Sequence, residues 1–135
     1  MDKKLIHRKD FAIRWGDMDA YGHMNNTMYF FYVQEARFEL LKEHGIIVDL
    51  HGEAPILAST ACNFLKPVFY PEIIVVDTYL VSIEGKKVTF EHLIYSKADS
   101  NKIFASLTAL VMWYDFSTNK TILPPESVRL IDMLE

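Results

Sequence analysis

The chain has 135 residues, half of them hydrophobic, which suits a single domain spanning 1–135 around one core and leaves no room for a second. Its formal charge of −4, with no basic cluster beyond Lys86-Lys87, argues against a nucleic-acid surface. No uninterrupted apolar run of about 18 residues is present to insert into a membrane, and Cys62 alone can supply neither a disulfide framework nor a thiolate metal cluster. Together with the polar opening Met1-Asp2-Lys3-Lys4, this leads us to expect a cytoplasmic protein.

Residues from about 8 to 16 alternate through Phe11, Ile13 and Trp15 and predict a first strand that ends at the aspartates. From about Asn25 to His44 the period becomes helical. Tyr29, Val33, Ala36 and Leu40 share one face, and Gly45 stands where a helix-ending glycine belongs. Phe30, Phe31, Tyr32 and Phe38 spread apolar bulk around this helix, so it should be wrapped by a sheet or buried at an interface. Glu35 and Arg37 carry charge on it and are expected to pair with neighbours.

After a loop around Asp49 to Glu53, four strand-like segments follow: Ile56 to Leu65, Ile73 to Ile83, Lys87 to Lys97 and Ile103 to Tyr114. Glu84-Gly85-Lys86 and Asp99-Ser100-Asn101 read as hairpin turns, while Lys66-Pro67 and Tyr70-Pro71 mark a wider one. Short connections imply antiparallel neighbours, and strands of this length imply a curved sheet that one long helix can fill. Pro124-Pro125 precedes a terminal helix predicted over Glu126 to Leu134.

The run from Arg14 to Asn26 concentrates Asp17, Asp19, His23, Asn25 and Asn26 just before the long helix. A plain strand-to-helix connection needs one or two such residues, which accounts for Gly22 and the asparagines but less well for two carboxylates and an imidazole. A calcium loop beginning at Asp17 fails, because Tyr21 and Met28 occupy positions that require ligands. An Asp-x-Asp phosphotransferase would need alternating βα units, which the pattern lacks. No further His or Cys follows nearby to complete a metal site with Asp17, Asp19 and His23, and no metal is expected there.

One strand, a long enclosed helix and four antiparallel strands resemble the hotdog fold, an α+β architecture in which a curved sheet of about five strands wraps one helix. The stretch Ile13 to Asp19 followed by Gly22 closely resembles the signature of the 4-hydroxybenzoyl-CoA thioesterase-like family, and Gly22-His23-Met24-Asn25-Asn26 with Tyr29 resembles the helix start of plant-type acyl-carrier-protein thioesterases of the same superfamily. The resemblance covers nearly the whole chain. It implies hydrolysis of acyl-CoA or acyl-carrier-protein thioesters, with Asp17, the first of the pair, as the catalytic carboxylate. It also implies no cofactor beyond the coenzyme A of the substrate. The chain departs from one bacterial branch, which has histidine in place of Asn26, and from the plant type, which has asparagine in place of Tyr21.

The residue types suit that chemistry. Asp17 can attack a thioester carbonyl or activate a water, and Asp19 two residues away would raise one proton affinity. The helix start near Asn25 supplies free N–H groups for an oxyanion. His23 either orients Asp17 or acts as a second acid-base group, and Asn26 can hold the carbonyl or the water. Asp19, Tyr21, Asn25 and Tyr29 are candidate substrate contacts, although Asp19 as a turn residue, Asn25 as a helix cap and Tyr29 as core are equally natural roles. Lys86 and Lys87 occupy a hairpin where the benzoyl-CoA enzymes hold the phosphates of coenzyme A. Exposed sheet edges predict a homodimer or homotetramer, and the resemblance implies a site formed between copies, near Asn63 and Phe64 on the strand following the long helix. A noncatalytic hotdog module that binds acyl chains or acyl-CoA would use the same pocket without turnover.

Overall fold

The computed structural model describes residues 2–46, 48–49 and 51–132. Strand β1 (Lys4–Ala12) leads through a short 3-10 turn at Trp15–Asp17 into helix α1 (Asn26–Glu43). Strands β2 (Glu53–Phe64), β3 (Ile73–Glu84), β4 (Lys87–Ser96), β5 (Ile103–Asp115) and β6 (Lys120–Ile122) follow, and helix α2 (Glu126–Ile131) completes the described chain. All strand pairings are antiparallel, in the order β1-β3-β4-β5-β2, with β6 joined to β5. The hotdog arrangement therefore holds, with six strands instead of about five.

Helix α1 lies on this sheet through the expected face: Tyr29, Val33, Ala36 and Leu40 are all buried. Ala36 is fully covered, and its single methyl lets the helix axis approach the strands closely. Burying a side chain such as Leu40 stabilises the fold by about 1.5–3 kcal/mol. Asn25 caps the helix start, and Gly45, at φ +68°, takes the left-handed conformation that ends it. On the outward side, Phe31 and Phe38 remain 37% and 54% exposed, so the sheet encloses only part of the apolar girdle.

Three expectations shift. Strand β1 runs from Lys4 to Ala12 instead of 8 to 16, and Trp15 leaves the sheet to stand 76% exposed. The wide turn at 65–72 is a crossover, because β2 lies on one edge of the sheet and β3 sits beside β1 near the other. Helix α2 stops at Ile131, and residues 133–134 of its predicted span lie outside the described residues. Among the described residues, no helix is long and apolar enough to cross a membrane.

Candidate active site

Where β1 ends, Ile13 N–H donates to Glu72 O at 3.1 Å and the chain turns into the 3-10 segment. Asp17, at its third position, folds back on the turn's own start. Its Oδ2 accepts from Arg14 N at 2.9 Å and from the Tyr32 hydroxyl, and its Oδ1 accepts from Arg14 Nε at 3.0 Å, with Nη2 at 2.8 Å. The residue is 2% exposed. Burial pushes its carboxyl up, but the Tyr32 hydroxyl together with the backbone, side chain and charge of Arg14 outweigh this and hold it below the usual carboxylate value. Burial, then the Asp17 carboxylate, push the Tyr32 phenol up to about 12. Both oxygens of Asp17 are thus committed to holding the turn.

From Met18 the backbone is extended, and a bridge between Met18 and Met24 closes the loop 19–23. Asp19 N–H donates to His23 O at 3.1 Å, and Gly22 N–H to Asp19 O at 3.0 Å. Gly22 has φ +86°, a conformation that a side chain would strain. Asp19 Oδ1 accepts from Tyr21 N at 2.8 Å, and Oδ2 has no partner among the described residues.

The helix start lies against this loop. Asn25 N–H donates to Asp17 O at 2.9 Å, the Asn25 side chain accepts from Thr27 N at 2.9 Å and Thr27 Oγ1 at 2.6 Å, and Met28 N–H reaches Asn25 O at 3.0 Å. The backbone N–H of Asn26 is left without an acceptor among the described residues, at the positive end of α1.

An open pocket of about 500 Å³ lies here, lined by Asp19, Tyr21, His23, Met24, Asn25, Asn26 and Tyr29 together with Phe64, Leu65, Lys66 and Pro67. Tyr21 stands at its rim, 85% exposed, and Tyr29 is buried in its floor with its ring 4.9 Å from that of Phe64, edge on. His23 is half-buried, its Nδ1 3.4 Å from Met24 O. Six of the nine anticipated residues, Asp19, Tyr21, His23, Asn25, Asn26 and Tyr29, therefore gather at one place.

Two anticipated placements are corrected. Asp17 does not line the pocket: its carboxylate is turned inward and saturated by Arg14 and Tyr32, so the open carboxylate is Asp19. Lys86 and Lys87 lie at the other end of the sheet, where Lys87 pairs with Met112, whereas Phe64 pairs with Ala105 beside the pocket. Lys86 is occupied there with Thr121 O at 2.9 Å. Asn63 is exposed beside the pocket, its amide 3.4 Å from Ser106 Oγ. Leu65, Lys66 and Pro67 went unmarked as pocket residues because the sequence signal was that of a strand end at Leu65 and of a turn at Lys66-Pro67.

Two other polar side chains of the interior, Arg37 and His92, meet each other. Arg37 meets no carboxylate among the described residues; its Nη1 donates to His92 Nε2 at 3.1 Å. That contact requires the neutral His92 tautomer with its proton on Nδ1, facing Thr78 Oγ1 at 2.9 Å. Burial, then the Arg37 charge, hold His92 well below the usual histidine value, in keeping with that tautomer. Burial brings Arg37 down to about 10 and pushes the Cys62 thiol up to about 11, an inert state.

A carboxylate with an unused oxygen, an imidazole and an unpaired helix-start N–H on one pocket can take up a polarised carbonyl and a proton. Comparison with known proteins points the same way. The model of the thioesterase-like superfamily matches residues 13–130. The chain is 32% identical to the PA2801 protein of Pseudomonas aeruginosa, whose structure superposes with a TM-score of 0.88 over 93% of this chain and 97% of that one. It is 25% identical to the acyl-acyl carrier protein thioesterase ATL3 of Arabidopsis thaliana over 92% of this chain, and spans 66% of that relative's length. The long-chain acyl-CoA thioesterase FadM of Escherichia coli is 21% identical over 82% of this chain and 84% of its own. On the match over nearly its whole length, the chain belongs to the thioesterase-like superfamily and has the hotdog fold.

Proposed function

We propose that this chain hydrolyses acyl thioesters carried on coenzyme A or an acyl carrier protein, with Asp19 as the reactive carboxylate. The observation that carries the reading is that Asp19, with one carboxylate oxygen unused, and Asn26, whose N–H has no acceptor among the described residues, line the same pocket. A thioester C=O set between them would direct its oxygen to the helix start, where one preorganised donor typically lowers the barrier by about 3 kcal/mol. Asp19 then either attacks the carbonyl carbon or takes a proton from a water that does so. As the C–O bond forms, the C–S bond breaks and the thiolate leaves, to be protonated; where Asp19 itself has attacked, a water then hydrolyses the mixed anhydride, releasing the acid and restoring the carboxylate. His23, which lines the same pocket, is the group we assign to exchange the thiolate's proton. Asp17 is a positioning residue: through Arg14 it fixes the 3-10 turn, and through its backbone carbonyl it fixes the helix start.

The relatives named for their substrates divide between acyl carrier protein and coenzyme A, and the reading takes in both carriers. Coenzyme A enters as part of the substrate, not as a cofactor. Two copies of the chain, as a dimer or within a tetramer, would join along β2. This strand has one unpaired edge, and Leu57, Phe64 and Leu65 are exposed near Phe31 and Phe38 of α1.

The test is hydrolysis of a panel of acyl-CoA and acyl-carrier-protein thioesters, followed by release of free thiol. Turnover of at least one class is expected. Tight binding of acyl-CoA with no turnover of any thioester would instead identify a noncatalytic acyl-binding module.

A further inference from the structure

The geometry points to a second site, for a divalent transition-metal ion, formed by His7 on β1 with Glu39 and Glu43 on α1. Glu39 and Glu43 are one helical turn apart and face the strand. His7 Nε2 is 2.9 Å from Glu39 Oε2 and 3.6 Å from Glu43 Oε2, and one ligand atom from each of the three residues falls within 4.8 Å of the others.

The imidazole is the independent sign that a ligand belongs there. Its side chain is 4% exposed, yet neither ring nitrogen has a hydrogen-bond partner among the described residues. Glu39 Oε2 is near enough to Nε2 but lies out of line for donation, and Glu43 Oε2 is too distant. A buried nitrogen flanked by two oxygens off its axis is costly as a hydrogen-bonding group. The same arrangement suits an ion on that axis. With metal–ligand lengths of about 2.0–2.2 Å and tetrahedral angles, ligand atoms lie about 3.4 Å apart, and the observed separations bracket that value.

The surroundings fit an imidazole-and-carboxylate donor set. Lys9 Nζ holds Glu39 Oε1 at 3.0 Å, orienting the carboxylate while leaving Oε2 for the ion. Glu43 is 58% exposed and provides the way in. Because Glu39 lies about 20 Å along the helix from Asn26 at 1.5 Å per residue, the ion would clasp α1 to β1 and stay clear of the pocket. Its effect is therefore on stability.

The experiment titrates the metal-stripped full chain with Zn²⁺ by calorimetry, follows Co²⁺ by its visible absorption, and records thermal unfolding with and without Zn²⁺. We expect one ion per chain, a Co²⁺ spectrum with nitrogen and oxygen ligation, and a rise in Tm. Glu43→Gln, at an exposed position that should not disturb folding, should weaken Zn²⁺ binding by about tenfold or more, and His7→Ala should abolish it. Absence of saturable binding, or equal binding by Glu43→Gln, overturns the proposal. So does stability near neutral pH that depends on His7 ionisation and is insensitive to Zn²⁺, which would identify a protonated His7 paired with the two carboxylates.

Discussion

Replacing Asp17 with Asn separates a residue that holds the site from one that reacts in it. The carboxylate offers two acceptors, and the structure uses both: Oδ2 for Arg14 N–H and the Tyr32 hydroxyl, Oδ1 for the Arg14 guanidinium. An amide offers one acceptor and one donor. With its oxygen in the Oδ2 position its NH₂ faces a cation; flipped, it faces two buried donors. Arg14 is 63% exposed, so its ion pair contributes little, whereas the hydrogen bonds to the buried charge weigh more. The combined cost is about 2 kcal/mol. At roughly 3–4 °C per kcal/mol for a domain of this size, Tm should fall by about 7 °C.

The pH dependence has a definite sign. Asp17 is held below its unfolded value, so its contribution is complete above the ordinary carboxylate range and is lost as pH falls through the depressed folded value. The difference in Tm between wild type and Asp17→Asn should be constant from about pH 5 to 8 and should shrink only in stronger acid. Calorimetric scans across pH, with initial rates measured well below Tm, provide the assay. An unchanged Tm combined with a loss of turnover of about 100-fold or more would refute the assignment and return Asp17 to the chemistry.

Other substitutions test neighbouring links. Tyr32→Phe removes one donor from Asp17, which should cost about 1 kcal/mol and, by letting the carboxyl rise toward its usual range, move the acid-unfolding midpoint to higher pH. Gly22→Ala meets no neighbouring atom but forces a side chain into φ +86°; a cost of about 1 kcal/mol and a fall in kcat are expected, since the loop it closes carries Asp19. Leu57→Lys, on the exposed edge strand, should leave a folded chain that light scattering finds as a monomer; an unchanged oligomer would remove β2 from the interface.

Local signals carried much of the fold in the sequence. The spacing of Tyr29, Val33, Ala36 and Leu40, with Asn25 and Gly45 at the ends, marked α1 to within a residue, because one stripe and two caps are enough to define a helix. The hairpin turn at Gly85 was equally legible. Strand β6 was not, since Lys120, Thr121 and Ile122 are too few to alternate and owe their pairing to β5. The order of strands across the sheet was hidden too, for nothing local distinguishes a wide turn from the crossover at 65–72.

At the site, the sequence singled out the loop that borders the pocket and favoured Asp17, whereas the carboxylate that lines the pocket is Asp19. On a continuous strand, residues two apart face the same way, so Asp17 and Asp19 look interchangeable. The change from 3-10 to extended backbone at Met18 sends one inward and the other outward. Asp17's partner Tyr32 lies on α1, Arg37 meets His92 on β4, and His7 meets Glu39 across the helix–strand contact. Such pairings follow from the fold and have no signature in local spacing. Lys86 and Lys87 were misplaced for the same reason: a basic hairpin tip says nothing of the end of the sheet on which it lies.

The account rests on Asp19 facing the reacting carbonyl from the open side of the loop. The most direct measurement is kcat of Asp19→Asn on the best thioester of the panel, with folding verified by its melting curve. A fall of about 100-fold or more at near wild-type Tm is predicted. Turnover within a few-fold of wild type would contradict it.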